Sequence, residues 1–300
     1  MRNKILILGA SSFIGKYILD TLGEDEVIAT YNNHSICNGL YFNSLKMSLS
    51  QLPNIKSVSH AIILLGDTNP ETCVENSTKS YELNVTSIKK ILDFCRDNYI
   101  KPVFTSSEFV FDGTRGNYAE NDKPSPILTY GKQKTEVEKY IINNFSDYLI
   151  TRLAKTYSSN LNDNTLFSSW IRQIQNKETI NCATDQIFSP VYVYDVAEAI
   201  INLIKQKRKG IFHISGTKSY NRFDLLRILI EILEDKHIIT SQPIIKKCLI
   251  NDFNLNEKRP VNVSMLPDKL IKETSFKLKS VENVCYKIVN GVGKNYENFI

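Results

Sequence analysis

The sequence predicts an α/β fold built on a doubly wound parallel sheet, and three observations carry that expectation. Short apolar runs alternate with amphipathic stretches through the first half of the chain. The first of those runs ends in a glycine-containing turn that opens a helix. The 300 residues suit one large α/β unit or two small domains, and a hydrophobic content of 42% is enough for an ordinary core.

Strands are expected over Lys4–Leu8, Glu26–Thr30, Ala61–Leu65, Pro102–Ser106 and Tyr148–Arg152, each a short apolar run. Helices are expected over Phe13–Leu22, Ser80–Arg96 and Thr129–Asn143. Within the second of these, Ile88, Ile91, Leu92 and Cys95 recur at helical spacing, with Lys89, Lys90 and Asp93 between them. Buried strands separated by helices imply a parallel sheet covered on both faces. Beyond about residue 157 the pattern loosens. Residues 158–164 form a polar loop, and a helix runs through Trp170 to Gln175, with Trp170 in core or lid packing. Strands follow over 189–193 and 210–215, then a helix over Arg222–Leu233 with Phe223, Leu226, Leu229, Ile230 and Leu233 apolar. A Pro-containing loop spans 257–265, and the tail over 281–289 is helical. The expected division is a nucleotide-binding domain over 1–157, to which 187–216 returns. A smaller, partly interleaved C-terminal α/β substrate domain takes 158–186 and 217–300.

Charge and cysteine usage narrow the function. Lys and Arg total 37 against 32 Asp and Glu, a mild excess of five spread along the whole chain. A nucleic-acid partner would concentrate its basic residues, so none is expected. The six cysteines form no Cys-x-x-Cys pair and the four histidines do not cluster with them, so no metal site is expected. No apolar run reaches membrane length. The first strand begins at Lys4 with no signal peptide before it, and the expectation is a cytoplasmic protein with reduced thiols.

The turn after the first strand reads Gly9-Ala10-Ser11-Ser12-Phe13-Ile14-Gly15. Such a turn aims free N–H groups and the positive end of a helix dipole at a pyrophosphate. Gly9 permits the turn and Gly15 lets the helix pack closely, so a Rossmann-type dinucleotide site is expected at Gly9, Ser11, Ser12, Phe13, Ile14 and Gly15. Ser12 stands where that pattern usually has its middle glycine. The second strand ends in Tyr31-Asn32-Asn33-His34, with no carboxylate to repel a 2′-phosphate. NADP(H) is therefore favoured over NAD(H).

Tyr130 and Lys134 are four residues apart, which on a helix puts both on one face. A free phenol has a pKa of about 10, and an ammonium held beside it lowers that value. Such a pair can act as general acid towards a carbonyl, with a serine hydroxyl from Ser106-Ser107 polarising the same oxygen.

With these elements in order, the chain resembles the extended short-chain dehydrogenase/reductase superfamily, and within it the dTDP-4-dehydrorhamnose reductase family. The likeness rests on Gly66–Pro70, Asn84-Val85, Ser106–Gly113, Pro126–Lys132, Asp185–Pro190 and Arg259–Asn262. It implies Ser107 as the catalytic hydroxyl, Tyr130 as proton donor, and Lys134 as the group that tunes Tyr130 and holds the nicotinamide ribose. It implies that the backbone at Leu65 and Gly66 passes the cofactor, and it counts the structural Asn84 with that set. Glu108 and Phe109 occupy places where these reductases often have Asp and Tyr. Substrate contacts are expected from Glu108, Phe109, Arg152, Gln186, Arg259 and Asn262, with Arg259 suited to a diphosphate; Arg152, at the end of a central strand, has a second reading as a structural residue paired with a carboxylate. The implied reaction is reduction of a keto group on a nucleotide-linked deoxysugar, a 4-keto-6-deoxyhexose, for surface polysaccharide. A homodimer through the helices 80–96 and 129–143 is implied as well. Two other readings stay open: an epimerase or dehydratase of the same superfamily, and a non-catalytic NADP-binding subunit similar to a regulatory partner of methionine adenosyltransferase.

Overall fold

The computed structural model describes residues 3–293. In chain order the elements are β1 (Lys4–Leu8), α1 (Phe13–Thr21), β2 (Val27–Tyr31), β3 (Leu40–Tyr41), β4 (Val58–Ile63), α2 (Pro70–Glu75) and α3 (Ser77–Tyr81). Next come α4 (Ser87–Asp97), β5 (Lys101–Ser107), α5 (Thr129–Asn144), β6 (Leu149–Leu153), β7 (Thr156–Tyr157), α6 (Leu166–Gln175), β8 (Ile180–Ala183), β9 (Ile187–Phe188) and β10 (Val191–Tyr192). The chain ends with α7 (Val193–Lys205), β11 (Gly210–Ile214), β12 (Tyr220–Asn221), α8 (Arg222–Asp235), β13 (Ile245–Cys248), α9 (Asp268–Thr274) and α10 (Val281–Gly293).

Seven strands form one sheet in the order β11-β6-β5-β4-β1-β2-β3. Every neighbouring pair is parallel. The chain starts in the middle, runs outward to β3, then returns to β4 on the other side of β1. That reversal opens a crevice beyond the carboxyl ends of β1 and β4, where ligands bind in open α/β sheets.

Alternation along the strands fixes the two layers. Ile5 and Ile7 of β1, Ile62 of β4 and Val103 of β5 join one apolar cluster. Leu6, Leu8, Ala61, Ile63 and Phe104 join the other, against Ile88 and Leu92 of α4 and Ile141 of α5. Burying a side chain of this size stabilises the fold by about 1.5–3 kcal/mol. The first cluster continues through Phe167 and Trp170 of α6, Leu226 of α8 and Ile288 of α10, so sheet and C-terminal half share one apolar interior.

The five expected central strands are present, displaced by at most a few residues. Two expectations change. The single helix over 80–96 is interrupted by a π-helical turn over Glu82–Thr86. That turn aims Asn84 inward, where its Oδ1 accepts the Asp67 N–H at 2.7 Å and its Nδ2 donates to Gln133 Oε1 at 2.7 Å. The strand expected over 189–193 shortens to β10, because Val193 opens α7, which packs against α1. The short helix α9 lies where the sequence carries no expectation, as its seven residues show little periodicity.

Candidate active site

Because the sheet is parallel, β1, β4, β5 and β6 all deliver their carboxyl ends to one edge. A cavity of ≈ 320 Å³ lies there, lined by Ser12, Phe13 and Ile14 after β1, Gly66 and Thr68 after β4, Ser106 to Phe109 at β5, Tyr130 and Lys134 of α5, and Ala154 to Thr156 after β6. It meets a larger cleft of ≈ 840 Å³ that reaches Trp170, Arg222 and Phe253. Phe13, Thr68, Lys155 and Thr156 line both.

The turn after β1 is built for close approach. Gly9 sits at φ +90°, which an L side chain rarely adopts. A Cβ at Gly15 would lie 2.5 Å from the Gly9 carbonyl oxygen. Ser12 needs no glycine: its φ is −69°, and its Oγ accepts the Gly15 N–H at 3.2 Å as the N-cap of α1. The serine therefore caps the helix from the wall of the cavity. Ser11 belongs to the same turn, and Tyr31 and Asn32 lie at the carboxyl end of β2, the adjacent strand. Gly66 takes φ +140°, and a Cβ there would lie 2.7 Å from Asn84 Oδ1. Asn84 thus stands behind the Leu65–Asp67 backbone and shapes it from the side away from the cavity.

Ser107, Tyr130 and Lys134 converge on the smaller cavity. Ser107 Oγ accepts the Phe109 N–H at 3.2 Å, and both Ser107 and Tyr130 line the cavity. Phe109 presents its ring edge-on to Tyr130, with centroids 6.4 Å apart. Gly131 makes this packing possible, since a Cβ there would lie 2.0 Å from the Phe109 carbonyl oxygen. Lys134 Nζ donates to the Thr105 carbonyl at 2.9 Å and lies 5.7 Å from the Tyr130 ring centroid. The expected lowering of Tyr130 by Lys134 is not what this geometry produces. Burial pushes the phenol above its usual value, the Cys73 thiol adds to the rise, and Ser107 opposes it. Burial also draws Lys134 down to about 8, against the pull of Glu138.

Glu108 lines the same cavity, is 4% exposed, and accepts the Lys155 N–H at 3.2 Å through Oε2. Burial raises its carboxyl to about 8, with Lys155 opposing. Folded protein then holds a proton that the unfolded chain, with a carboxyl near 4.3, releases first. The resulting stability is complete below about pH 4 and is lost as pH rises through 8. Glu108→Gln should therefore show a smaller fall in Tm between pH 5 and pH 8 than the parent protein. Parallel Tm curves would show that Glu108 ionises normally.

Four expected substrate residues are held elsewhere. Arg152 lies in the core, 1% exposed, with Nε 3.0 Å from Glu138 Oε1 and Nη2 2.8 Å from Oε2. Gln186 accepts Arg222 Nη1 at 3.2 Å. Arg259 pairs with Glu71 of α2. Asn262 Oδ1 accepts the Ser264 hydroxyl at 2.8 Å. None of the four lines either cavity. The cavities are lined instead by Ser106, whose buried Oγ has no partner, and by two residues the sequence reading did not single out, Lys155 and Arg222, the latter with a buried Nε that has no partner.

The orphan hydroxyl of Ser106, the glycine-shaped walls and the N-terminus of α1 fit a dinucleotide. The family described as "RmlD substrate binding domain" matches residues 3–292. A dTDP-4-dehydrorhamnose reductase from Aggregatibacter actinomycetemcomitans is 23% identical over 270 residues, covering 86% of this chain and 89% of the relative. The methionine adenosyltransferase 2 subunit beta of Bos taurus is 24% identical over 263 residues, covering 81% and 77%. The crystal structure of a dTDP-4-dehydrorhamnose reductase from Bacillus anthracis in complex with NADP superposes with a TM-score of 0.81, at 21% identity over 97% of this chain and 100% of the other, a likeness of fold. The family match leaves almost none of the described protein outside it, and the chain belongs to the RmlD substrate binding domain family.

Proposed function

We propose that the protein is an NADP(H)-dependent oxidoreductase that reduces a keto group on a nucleotide-linked deoxysugar, a 4-keto-6-deoxyhexose. The observation that carries this reading is the convergence of Ser107, Tyr130 and Lys134 on one cavity at the carboxyl ends of the central strands. The reductase relative supports the substrate class. The absence of a carboxylate at the end of β2 supports NADP(H) over NAD(H). When bound, that cofactor supplies a hydride to the carbonyl carbon.

The chain's own residues supply the rest. The Gly9–Gly15 turn presents free amides to the pyrophosphate. Ser106 Oγ and Lys134 Nζ would hold the nicotinamide end. Ser107 donates a hydrogen bond to the carbonyl oxygen as charge develops there, where a fixed donor helps most. Tyr130 gives its phenolic proton to that oxygen, and its high pKa keeps the proton in place until then. Glu108, whose carboxyl is shifted by burial towards the protonated form, and Phe109 bound the sugar pocket. Arg222 and Lys155 replace Arg259 as the diphosphate contacts, with Trp170 beside them.

The same proposal divides the chain into 1–157 with 187–216, and 158–186 with 217–300; the return of β11 to the sheet edge supports it. It includes a homodimer through residues 80–96 and 129–143. Six free cysteines fit the cytoplasm, and among the described residues no helix is long and apolar enough to cross a membrane.

The test is NADPH oxidation with dTDP-4-keto-6-deoxyglucose. Turnover is expected in the parent protein, and Arg222→Ala should raise the KM for the sugar nucleotide about tenfold or more, as for a lost charge-assisted bond. Its KM for NADPH should stay put. Tight NADPH binding without any oxidation across a panel of keto-sugar nucleotides would favour the regulatory-subunit reading, which the methionine adenosyltransferase subunit keeps in view. Turnover with no net cofactor oxidation would favour the epimerase.

A further inference from the structure

We infer that Glu257 is a positioning residue for Tyr130, acting through the first turn of α5; the catalytic part of this inference rests on the oxidoreductase role proposed above. Tyr130 is the second residue of α5. The first amides of a helix need acceptors from outside it. Leu128, at the N-cap, offers no side-chain acceptor, and the first turn of α5 carries no acidic residue. The acceptor arrives from 128 residues further along the chain. Glu257 Oε1 and Oε2 receive the Thr129 N–H at 3.0 and 3.1 Å, and Oε1 also takes the Thr129 hydroxyl at 2.8 Å. A carboxylate at this place also meets the positive end of the helix dipole.

The residues around Glu257 are fastened to the facing wall. Asn256 donates its N–H to Glu71 Oε2 and its Nδ2 to Glu75 Oε1, both at 2.9 Å. Arg259 pairs with the same Glu71. These carboxylates belong to α2, which follows Thr68, a residue that lines both cavities. Phe253, four residues before Glu257, lines the outer cleft. Segment 253–259 therefore touches the outer cleft, the α2 wall and the helix that carries Tyr130. A sugar nucleotide seated against Phe253 meets the segment that fixes the proton donor. This also gives Arg259 a role: it anchors that segment and leaves the diphosphate to other cations.

The test compares Glu257→Ala and Glu257→Gln in the NADPH-loaded full chain. Glutamine keeps an oxygen for the Thr129 N–H, and alanine keeps none. Glu257→Ala should lower kcat about tenfold to a hundredfold, the scale of a misplaced reacting group, with the KM for NADPH within about twofold. Glu257→Gln should recover most of that loss. Amide exchange over 128–132 should speed up in the alanine variant and stay unchanged over 101–107 of β5. The exchange readout needs no substrate, so it stands or falls separately from the choice of sugar nucleotide. Parent-like kcat and exchange in Glu257→Ala would overturn the inference. So would an equal loss of kcat in both variants with a matching fall in Tm, which would mark Glu257 as support for the fold alone.

Discussion

Tyr130→Phe is expected to lower kcat by about 10²–10⁴-fold, the range that a positioned general acid contributes, and to leave NADPH affinity within about twofold. The substitution removes one oxygen and little else. The ring keeps its edge contact with Phe109 and its place beside Lys134. Ser107 Oγ keeps its hydrogen bond from the Phe109 N–H, so the oxyanion donor stays where it is. Lys134 is anchored on the Thr105 carbonyl and not on the phenol, so the ribose contact survives as well. The loss should therefore fall on kcat and spare the KM for NADPH, because the missing interaction matters only as the carbonyl oxygen gains charge. Single-turnover NADPH oxidation measures the first quantity and a fluorescence titration the second. A variant that still reduces its substrate at the parent rate would remove Tyr130 as the proton donor.

How much of this was legible beforehand depends on how local the signal is. The central strands are buried on both faces and read directly as apolar runs. The turn Gly9–Gly15 and the pair Tyr130/Lys134 are legible for the same reason, since each lies within one helix start or one helical turn. The π-helical turn at 82–86 was not, because it answers to Asp67 and Gln133, which lie 17 and 49 residues away. Arg222 was hidden in the apolar pattern of α8; only the pairing of β9 with β12 brings it beside Gln186 and the outer cleft. Lys155 had a signal that went unused. It lies two residues beyond β6, where the rule that sites gather at the carboxyl ends of parallel strands points. For Arg152, the fourth residue of β6, the structural reading holds and the substrate reading does not, because strand position does not say which face a side chain takes. The carboxylate that it pairs with is Glu138, one turn beyond Lys134 on α5 and on the same face.

That buried pair carries the largest expected effect on stability. Arg152 and Glu138 are each 1% exposed and joined by three hydrogen bonds. Glu138→Ala should destabilise the protein by about 3–5 kcal/mol, because it strands a guanidinium in the core. For a chain of this size that corresponds to a Tm roughly 10 °C lower. Part of the cost is relieved by the Glu120 carbonyl, 3.4 Å from Nη1, and by the Phe111 ring beneath the guanidinium, so the lower end of the range is the better guide. The double variant Glu138→Leu/Arg152→Met tests the cause. If the cost is an unpaired buried charge, removing both charges at similar volume should return most of the lost Tm. If the double variant is no more stable than the single one, packing and not charge is responsible. The same carboxylate also raises the pKa of Lys134. Glu138→Gln, which keeps the volume, should therefore move Lys134 further down and carry the alkaline limb of the kcat profile to lower pH. An unmoved limb would separate the core pair from the active site altogether.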